Sequence, residues 1–260
     1  FEETLGWSLK DIINSEDPEI IKKTNIAQPY IFSVSYCYGI EAINNLGNPA
    51  ALIGHSLGEY TALCLSGYLD YKDALKVIAV RGEEMHKAVE NSNTTMAAVL
   101  TGDLEATIEE IEKLNNQGIQ IWISNFNDPS QIVISSYIDD MNYLKSNPKA
   151  LGAKRVIPLE VAGAFHTEIV SSAKKPLEDT LNSIDISEGK IPVYMNVDAK
   201  KVEVSTLKEN LVNQIDNSVL FNQQIEFVNN DIDPDLWCHI GPGNVTAGMV
   251  RKSISYKDLK

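Results

Sequence analysis

Apolar positions in this chain recur first at helical spacing and later at alternating spacing, and the switches between the two periods mark its elements. Leu5, Leu9, Ile12 and Ile13 predict a peripheral helical start, broken over residues 15–18 before another short helix. Gln28 and Pro29 then open a long helix to about residue 46, with the proline in its first turn. That helix is apolar almost all round, which predicts a core helix packed under a sheet. Ala51, Leu52 and Ile53 read as a short buried strand between Pro49 and Gly54, and helix formers follow from Gly58. Asp70, with Asp73 three residues on, is placed to cap the next helix, which carries Ala74, Val77, Ile78, Val80 and Met85.

The texture changes at Thr94. Strand 96–100, helix 104–114, strands 119–124 and 131–135, helix 137–146 and strand 155–161 give the order β-α-β-β-α-β, the ferredoxin-like pattern. Residues 94–159 are therefore expected to form a small ferredoxin-like subdomain inserted into a large α/β catalytic subdomain, residues 1–93 and 160–260. The chain continues with a loop at 163–166 and a helix to about residue 184 despite Pro176. A strand at 191–196, a helix at 207–214 and another opened by 217–221 follow. A last strand at 236–240 precedes a glycine-rich turn and a helix carrying Arg251. Strands alternating with helices predict an α/β fold with a hydrolase-like, mostly parallel sheet flanked by helices.

Composition narrows the classes. The 260 residues are 43% hydrophobic and 22% charged, an ordinary soluble balance whose length suits one α/β domain with an inserted unit. A net charge of −14 argues against nucleic acid as a partner, because that affinity rests on neutralising phosphates. The pairs Lys154-Arg155, Lys174-Lys175 and Arg251-Lys252 are candidate basic patches, although such pairs are more often solvated faces. Three cysteines, Cys37, Cys64 and Cys238, make no disulfide framework. Cys64 and Cys238 lie in apolar stretches and read as buried thiols of a reducing compartment. No Cys-x-x-Cys or His-Glu-x-x-His spacing points to a metal. No long apolar run or signal-peptide pattern is present, so the expectation is a cytoplasmic protein without a membrane partner.

The strongest chemical signal is the stretch from Gly54 through His55, Ser56 and Leu57 to Gly58, which fits the G-x-S-x-G nucleophile elbow between strand and helix. The turn is expected to be so tight that side chains at 54 and 58 would collide, with Ser56 strained and its hydroxyl projecting. The Leu57 N–H and the helix dipole are then placed to hold a developing oxyanion. A glycine-bounded turn that merely contains serine is the plain alternative.

A serine nucleophile needs a base, and the chain has four histidines. His55 adjoins the serine and should point away from its hydroxyl. His86 sits on a polar helix face, and His239 ends a buried strand as a structural side chain. His166 remains by elimination, on a loop beside small residues, although it could be an ordinary loop histidine. An orienting acid is not distinct: Asp216 and Asp231 stay open, as does a backbone carbonyl.

Gly54-His55-Ser56-Leu57-Gly58-Glu59 followed by Arg81, Gly163 to His166, and Gly241-Pro242-Gly243 together resemble the malonyl-CoA:acyl-carrier-protein transacylase family, which includes the acyltransferases of fatty-acid and polyketide synthesis. The resemblance covers essentially the whole chain. It implies that Ser56 is acylated with His166 as base, and that Arg81, otherwise a surface arginine on an amphipathic helix, holds the malonyl carboxylate by a bidentate pair. It also implies Gln214 as the residue whose carbonyl orients the histidine. Gln28 and Asn125 would lie at the acyl pocket, and Phe165 would sieve against α-branched acyl groups. Malonyl-CoA and an acyl carrier protein are the implied partners, with no bound cofactor. A proofreading acyl-thioester hydrolase on the same fold, or a non-catalytic carrier-docking member, are the alternatives. Family members begin with a strand and a Phe-Pro-Gly-Gln-Gly turn that supplies a second oxyanion N–H. No such segment precedes Phe1, so the second donor is expected from outside this sequence.

Overall fold

The computed structural model describes residues 1–15, 17 and 19–254. The start is helical, with α1 (Glu2–Leu5) and α2 (Leu9–Ile13), the latter capped by Ser8 Oγ accepting the Asp11 N–H. The break expected over residues 15–18 lies partly outside the described residues; a single 3-10 turn, Ile20–Lys22, follows it. The long helix α3 (Thr24–Leu46) begins earlier than its proline implied, and Pro29 sits inside it, buried. The Lys23 carbonyl already accepts the N–H groups of Ile26 and Ala27, so the first turn is complete before the proline. The missing proline N–H leaves one carbonyl of the helix without an intrahelical partner. Nor is α3 a core helix all round: Phe32, Ser33 and Gly39 are buried, whereas Tyr38 and Leu46 are each 55% exposed.

β1 (Leu52–Ile53) leads through the elbow into α4 (Leu57–Ser66), and Gly67 ends that helix in the left-handed conformation. Asp70 caps α5 (Tyr71–Val89) as expected, its carboxylate accepting the N–H groups of Lys72 and Asp73.

β2 (Thr94–Leu100), α6 (Leu104–Asn116), β3 (Ile121–Asp128), β4 (Gln131–Tyr137), α7 (Ile138–Ser146) and β5 (Arg155–Pro158) follow in the anticipated order. Their four strands form one antiparallel sheet in the order β3-β4-β2-β5. Its apolar face, Val99, Ile132 and Ile134, closes on Ile111 of α6 and Leu144 of α7 in a core of its own. Each such fully buried aliphatic side chain contributes roughly 1.5–3 kcal/mol.

The predicted helix to residue 184 is two pieces. A 3-10 stretch, Glu168–Ala173, passes into α8 (Lys174–Asn182), and Pro176 falls in the first turn of α8, where no N–H is required. β6 (Val193–Tyr194) is shorter than the stretch 191–196 and pairs parallel with β1, Leu52 opposite Val193. α9 (Val204–Asn213), α10 (Phe221–Ile232) and α11 (Val245–Ser253) follow. Among the described residues no strand forms at the expected 236–240, and only Trp237 has bridge geometry. Leu236 and Cys238 there are exposed, and an irregular backbone with no ladder partner among the described residues replaces it. Cys238 is thus not the buried thiol its neighbours implied, while Cys64 is buried.

The molecule is an α/β protein with a four-stranded antiparallel sheet and, among the described residues, one parallel pair in place of the longer parallel sheet expected. The parallel pair is nevertheless what positions the chemistry. The chain leaves β1 into the elbow and β6 into Asn196, so both strands deliver polar groups to the same carboxyl-terminal edge, where open α/β sheets place their sites. A large core of α3, α4, α5, α8 and α9 side chains, including Phe32, Tyr60, Leu63, Val77 and Leu207, supports that edge from below.

Candidate active site

Ser56 has φ 50° and ψ −107°, a conformation rarely adopted by a residue with a side chain, and its hydroxyl stands at the N-terminus of α4. The strain is held by specific bonds. Asn196 Oδ1 accepts the Ser56 N–H at 2.7 Å, Asn196 Nδ2 donates to the Gly54 carbonyl at 2.6 Å, and Gln214 Nε2 donates to the Ser56 carbonyl at 2.9 Å. Only one of the two elbow glycines is required by space. A Cβ on Gly54 would lie 2.0 Å from the Gly58 carbonyl carbon, whereas a Cβ on Gly58 would meet nothing within 4 Å. Gly54→Ala should therefore cost about 3 kcal/mol, the upper end for overpacking a closed site. Gly58→Ala should stay within about 1 kcal/mol, since alanine also favours the helix. Urea midpoints of the two variants check this; equal midpoints would refute it.

His166 meets Ser56 as expected, with Nε2 2.8 Å from Oγ. Its Nδ1 lies 2.8 Å from the Gln214 carbonyl oxygen. A carbonyl only accepts, so Nδ1 carries the proton and Nε2 presents its lone pair to the serine hydroxyl. The acids left open take no part: Asp216 is bonded to Lys174 and Ser171, and Asp231 to the Tyr194 hydroxyl. The ring is buried, 6% exposed, and it meets solvent through the cavity and not at the outer surface. Burial, and then the nearby Arg81 charge, push its pKa from the ordinary 6.5 down to about 3, against the opposing pull of the Gln214 carbonyl. The imidazole is therefore neutral, the form a general base needs. The reactivity of Ser56 is expected to show no fall as pH drops through 6.5; a limb at that pH would contradict the buried, neutral assignment. The same depression makes acid destabilising, since the unfolded chain takes up this proton near 6.5 and the folded one only near 3.

Arg81 is 1% exposed, not a surface arginine. It reaches across from α5 so that Nη1 donates to Gln28 Oε1 at 2.5 Å, and Nη2 donates to Gln214 Oε1 at 2.8 Å and to Ser56 Oγ at 3.1 Å. Its carbon stands 5.5 Å from the centre of the Tyr60 ring, and its Nε has no partner. The Leu57 N–H has no backbone acceptor among the described residues and stays available beside Ser56. Gln28, Ser56, Leu57, Arg81 and His166 line a cavity of about 1100 Å³. Asn125 and Phe165 line the same cavity without a hydrogen bond to the serine, histidine or arginine, and Asn125 sits where β3 meets Val219 through the Phe126 N–H.

The other histidines fall outside this cluster. His55 turns away, with Nε2 at 2.9 Å from Asn127 Oδ1 and its ring edge-on to Phe221. His86 is half-buried, with Nδ1 unpartnered, and so less solvated than its helix face implied. His239 is bonded at both nitrogens, to Thr246 and Gly243, but in the irregular segment and not at a strand end. Among the candidate basic patches, Lys174, Lys175 and Lys252 are taken by Asp216, Asp179 and Asp128. Among the described residues no group of three or more His, Cys, Asp or Glu could hold a metal ion, and no helix is long and apolar enough to cross a membrane.

Sequence reasoning missed three parts of the site: Asn196, the side chain of Gln214, and Glu59. Glu59 is fully buried, and its carboxylate accepts the Asn196 N–H and Gln214 Nε2. Its signal was available, since Glu59 is the one charged residue in the helix Leu57–Ser66. Asn196 and Gln214 carry no comparable mark.

Comparison with known proteins agrees with this arrangement. The family described as "Acyl transferase domain" matches residues 1–257. A malonyl CoA-acyl carrier protein transacylase of Bacillus subtilis (strain 168) is 36% identical over 253 residues, 96% of this chain and 79% of that protein. One of Staphylococcus aureus (strain MRSA252) is 32% identical over 250 residues, 96% and 80% of the two chains. Among solved structures, an MCAT from Streptococcus pneumoniae superposes with a TM-score of 0.89 at 31% identity, covering 99% of this chain and 84% of that one. A malonyl-transacylase in complex with its type II PKS acyl-carrier protein gives 0.91 at 28% identity, with coverages of 99% and 84%. An elbow serine bonded to a neutral histidine, on a chain matched from end to end in this way, leads to one conclusion: the chain belongs to the acyl transferase domain family.

Proposed function

We propose that the protein moves a malonyl group from malonyl-CoA to the phosphopantetheine thiol of an acyl carrier protein through an ester on Ser56, in fatty-acid or polyketide synthesis. The observation that carries this reading is the buried guanidinium of Arg81, 3.1 Å from the Ser56 hydroxyl. A buried cation beside the nucleophile suits an acyl group that carries its own carboxylate, and a planar fork grips that carboxylate by two parallel bonds. An acetyl or long-chain acyl group has no carboxylate to meet that fork.

In the first half-reaction Ser56 Oγ attacks the thioester carbonyl while its proton passes to His166 Nε2. The oxyanion forms against the Leu57 N–H at the positive end of α4. The carbon–sulfur bond then breaks, and the CoA sulfur leaves with the proton from His166. The second half-reaction runs the same steps in reverse order with the carrier thiol. His166 takes the thiol proton, the sulfur attacks the seryl ester, and Ser56 recovers its proton. The Gln214 carbonyl keeps the Nδ1 proton in place throughout. Gln28 holds the guanidinium, while Asn125 and Phe165 shape the wall that the acyl chain meets.

The architecture fits a two-part reading. Residues 1–93 and 160–260 form the catalytic subdomain, with β1 and β6 as part of a hydrolase-like sheet, and residues 94–159 form a ferredoxin-like subdomain that adds Met96, Asn125 and Leu159 to the cavity wall. Incubation with malonyl-CoA should add one malonyl mass to the peptide carrying Ser56, and addition of a holo acyl carrier protein should remove it as malonyl-carrier. Loss of the ester to water at the same rate with and without carrier would favour the hydrolase instead, and no mass gain would overturn the reading.

A further inference from the structure

Glu59 has no part in the acyl transfer just described, yet it is built into the site more firmly than any other carboxyl group. It is fully buried one turn along α4 from the nucleophile, and both its oxygens accept N–H donors, from the Asn196 backbone and from Gln214 Nε2. The amide of Gln214 continues the line, its Oε1 accepting from Arg81 Nη2 at 2.8 Å. Carboxylate, amide and guanidinium thus form a chain in which the amide carries the charge of one end to the other. The groups facing Glu59 are Arg81 from α5, Asp198 from the turn after β6, and Tyr60 on its own helix. Of these only Arg81 is a cation, and the other lysine or arginine lining the cavity among the described residues, Lys22, is already paired with Glu19 and Glu160.

We propose that Glu59 and the carboxylate of the incoming acyl group compete for Arg81, so that a malonyl group is held by the form of the enzyme in which Glu59 carries a proton. The idea rests on malonyl transfer as proposed above and adds a linkage to it. With Glu59 ionised the buried cluster of Arg81, Glu59 and neutral His166 carries no net charge, and a second carboxylate would leave one negative charge buried without a partner. A proton taken from solvent onto a Glu59 oxygen removes that excess, at the cost of one N–H bond to the carboxylate. A neutral acyl group such as acetyl makes no such demand. Burial, opposed by the Asn196 and Gln214 bonds and by Arg81, holds the Glu59 carboxyl at about 8 in the empty site, so the linkage falls where the enzyme can be assayed. His166, at about 3, does not titrate in that range.

The test is the acylation rate of Ser56 by malonyl-CoA and by acetyl-CoA, between about pH 6.5 and 9.5, in the wild type and in Glu59→Gln. The two thioesters share leaving group, nucleophile and base, so their ratio isolates the acyl carboxylate. The malonyl-to-acetyl ratio is expected to fall on the order of tenfold above pH 8, the effect of about one unit of pKa displacement. In Glu59→Gln, which mimics the protonated acid, the ratio should stay level. A level ratio in the wild type, or an equal fall in Glu59→Gln, overturns the linkage. A readout on the wild type alone covers the case of a variant that does not fold. Malonylation above pH 8 should add a protonated-carboxyl C=O stretch to the infrared difference spectrum, and acetylation should not; its absence with malonyl overturns the proposal. Failure to malonylate at any pH would overturn the transfer reading and the linkage together, whereas malonylation with a level ratio would sink the linkage alone.

Discussion

His166→Ala should slow acylation of Ser56 by roughly 10²–10⁴-fold, the range for loss of a positioned general base. Ser56 would keep its Arg81 contact and the Leu57 N–H, so substrate still meets the oxyanion donor, but no group within reach would take the hydroxyl proton. Asp216 and Asp231 cannot substitute, because each is engaged elsewhere with a lysine or tyrosine. In the proposed mechanism both half-reactions use the same imidazole, so transfer from a preformed malonyl-Ser56 to carrier thiol should slow comparably. Single-turnover acylation followed by mass spectrometry measures the first step. A rate within tenfold of wild type would show that the proton leaves by another route.

Arg81→Ala should reverse the acyl preference, not merely lower activity. Truncating one partner of a buried, hydrogen-bonded charge pair costs about 2–5 kcal/mol, so malonyl turnover should fall by roughly 30- to 5000-fold. Acetyl turnover does not draw on that pair, and the vacated volume admits a neutral chain. Removal of the guanidinium also releases Gln28 and Gln214 from it, which can slow all acyl groups alike. The informative quantity is therefore the ratio of malonyl to acetyl kcat/KM, and an unchanged ratio would refute the clamp. Arg81→Lys should not restore it, since an ammonium offers a point charge where the site is built around a fork.

Much of this was legible in the sequence where a local rule applies. The Gly54–Gly58 stretch fixes a strand-turn-helix, Asp70 caps α5, and the alternating run from Thr94 gives the four antiparallel strands with their two helices. Where tertiary contacts decide, the reading failed. Residues 236–240 have strand composition but join no named strand among the described residues, where only Trp237 has bridge geometry, so propensity alone does not make a strand there. Arg81 looks like a surface side chain from its helix pattern, and only the convergence of Gln28, Gln214 and Ser56 from three other elements explains its burial. His166 was reached by elimination, but its neutrality follows from burial and Arg81, neither of which a sequence displays. Asn196 and the amide of Gln214 are ordinary polar residues until their partners are seen.

Gln214 itself has a consequence for how such a site changes over generations. Its carbonyl serves His166, its amide nitrogen serves both Ser56 and Glu59, and its amide oxygen serves Arg81. A residue with several clients cannot be adjusted for one of them alone. Substitutions at Glu59, Arg81 and Gln214 should then be strongly non-additive in combination. A lineage that moves from a charged to a neutral acyl group would have to pass through weakened intermediates, or replace several of these residues together.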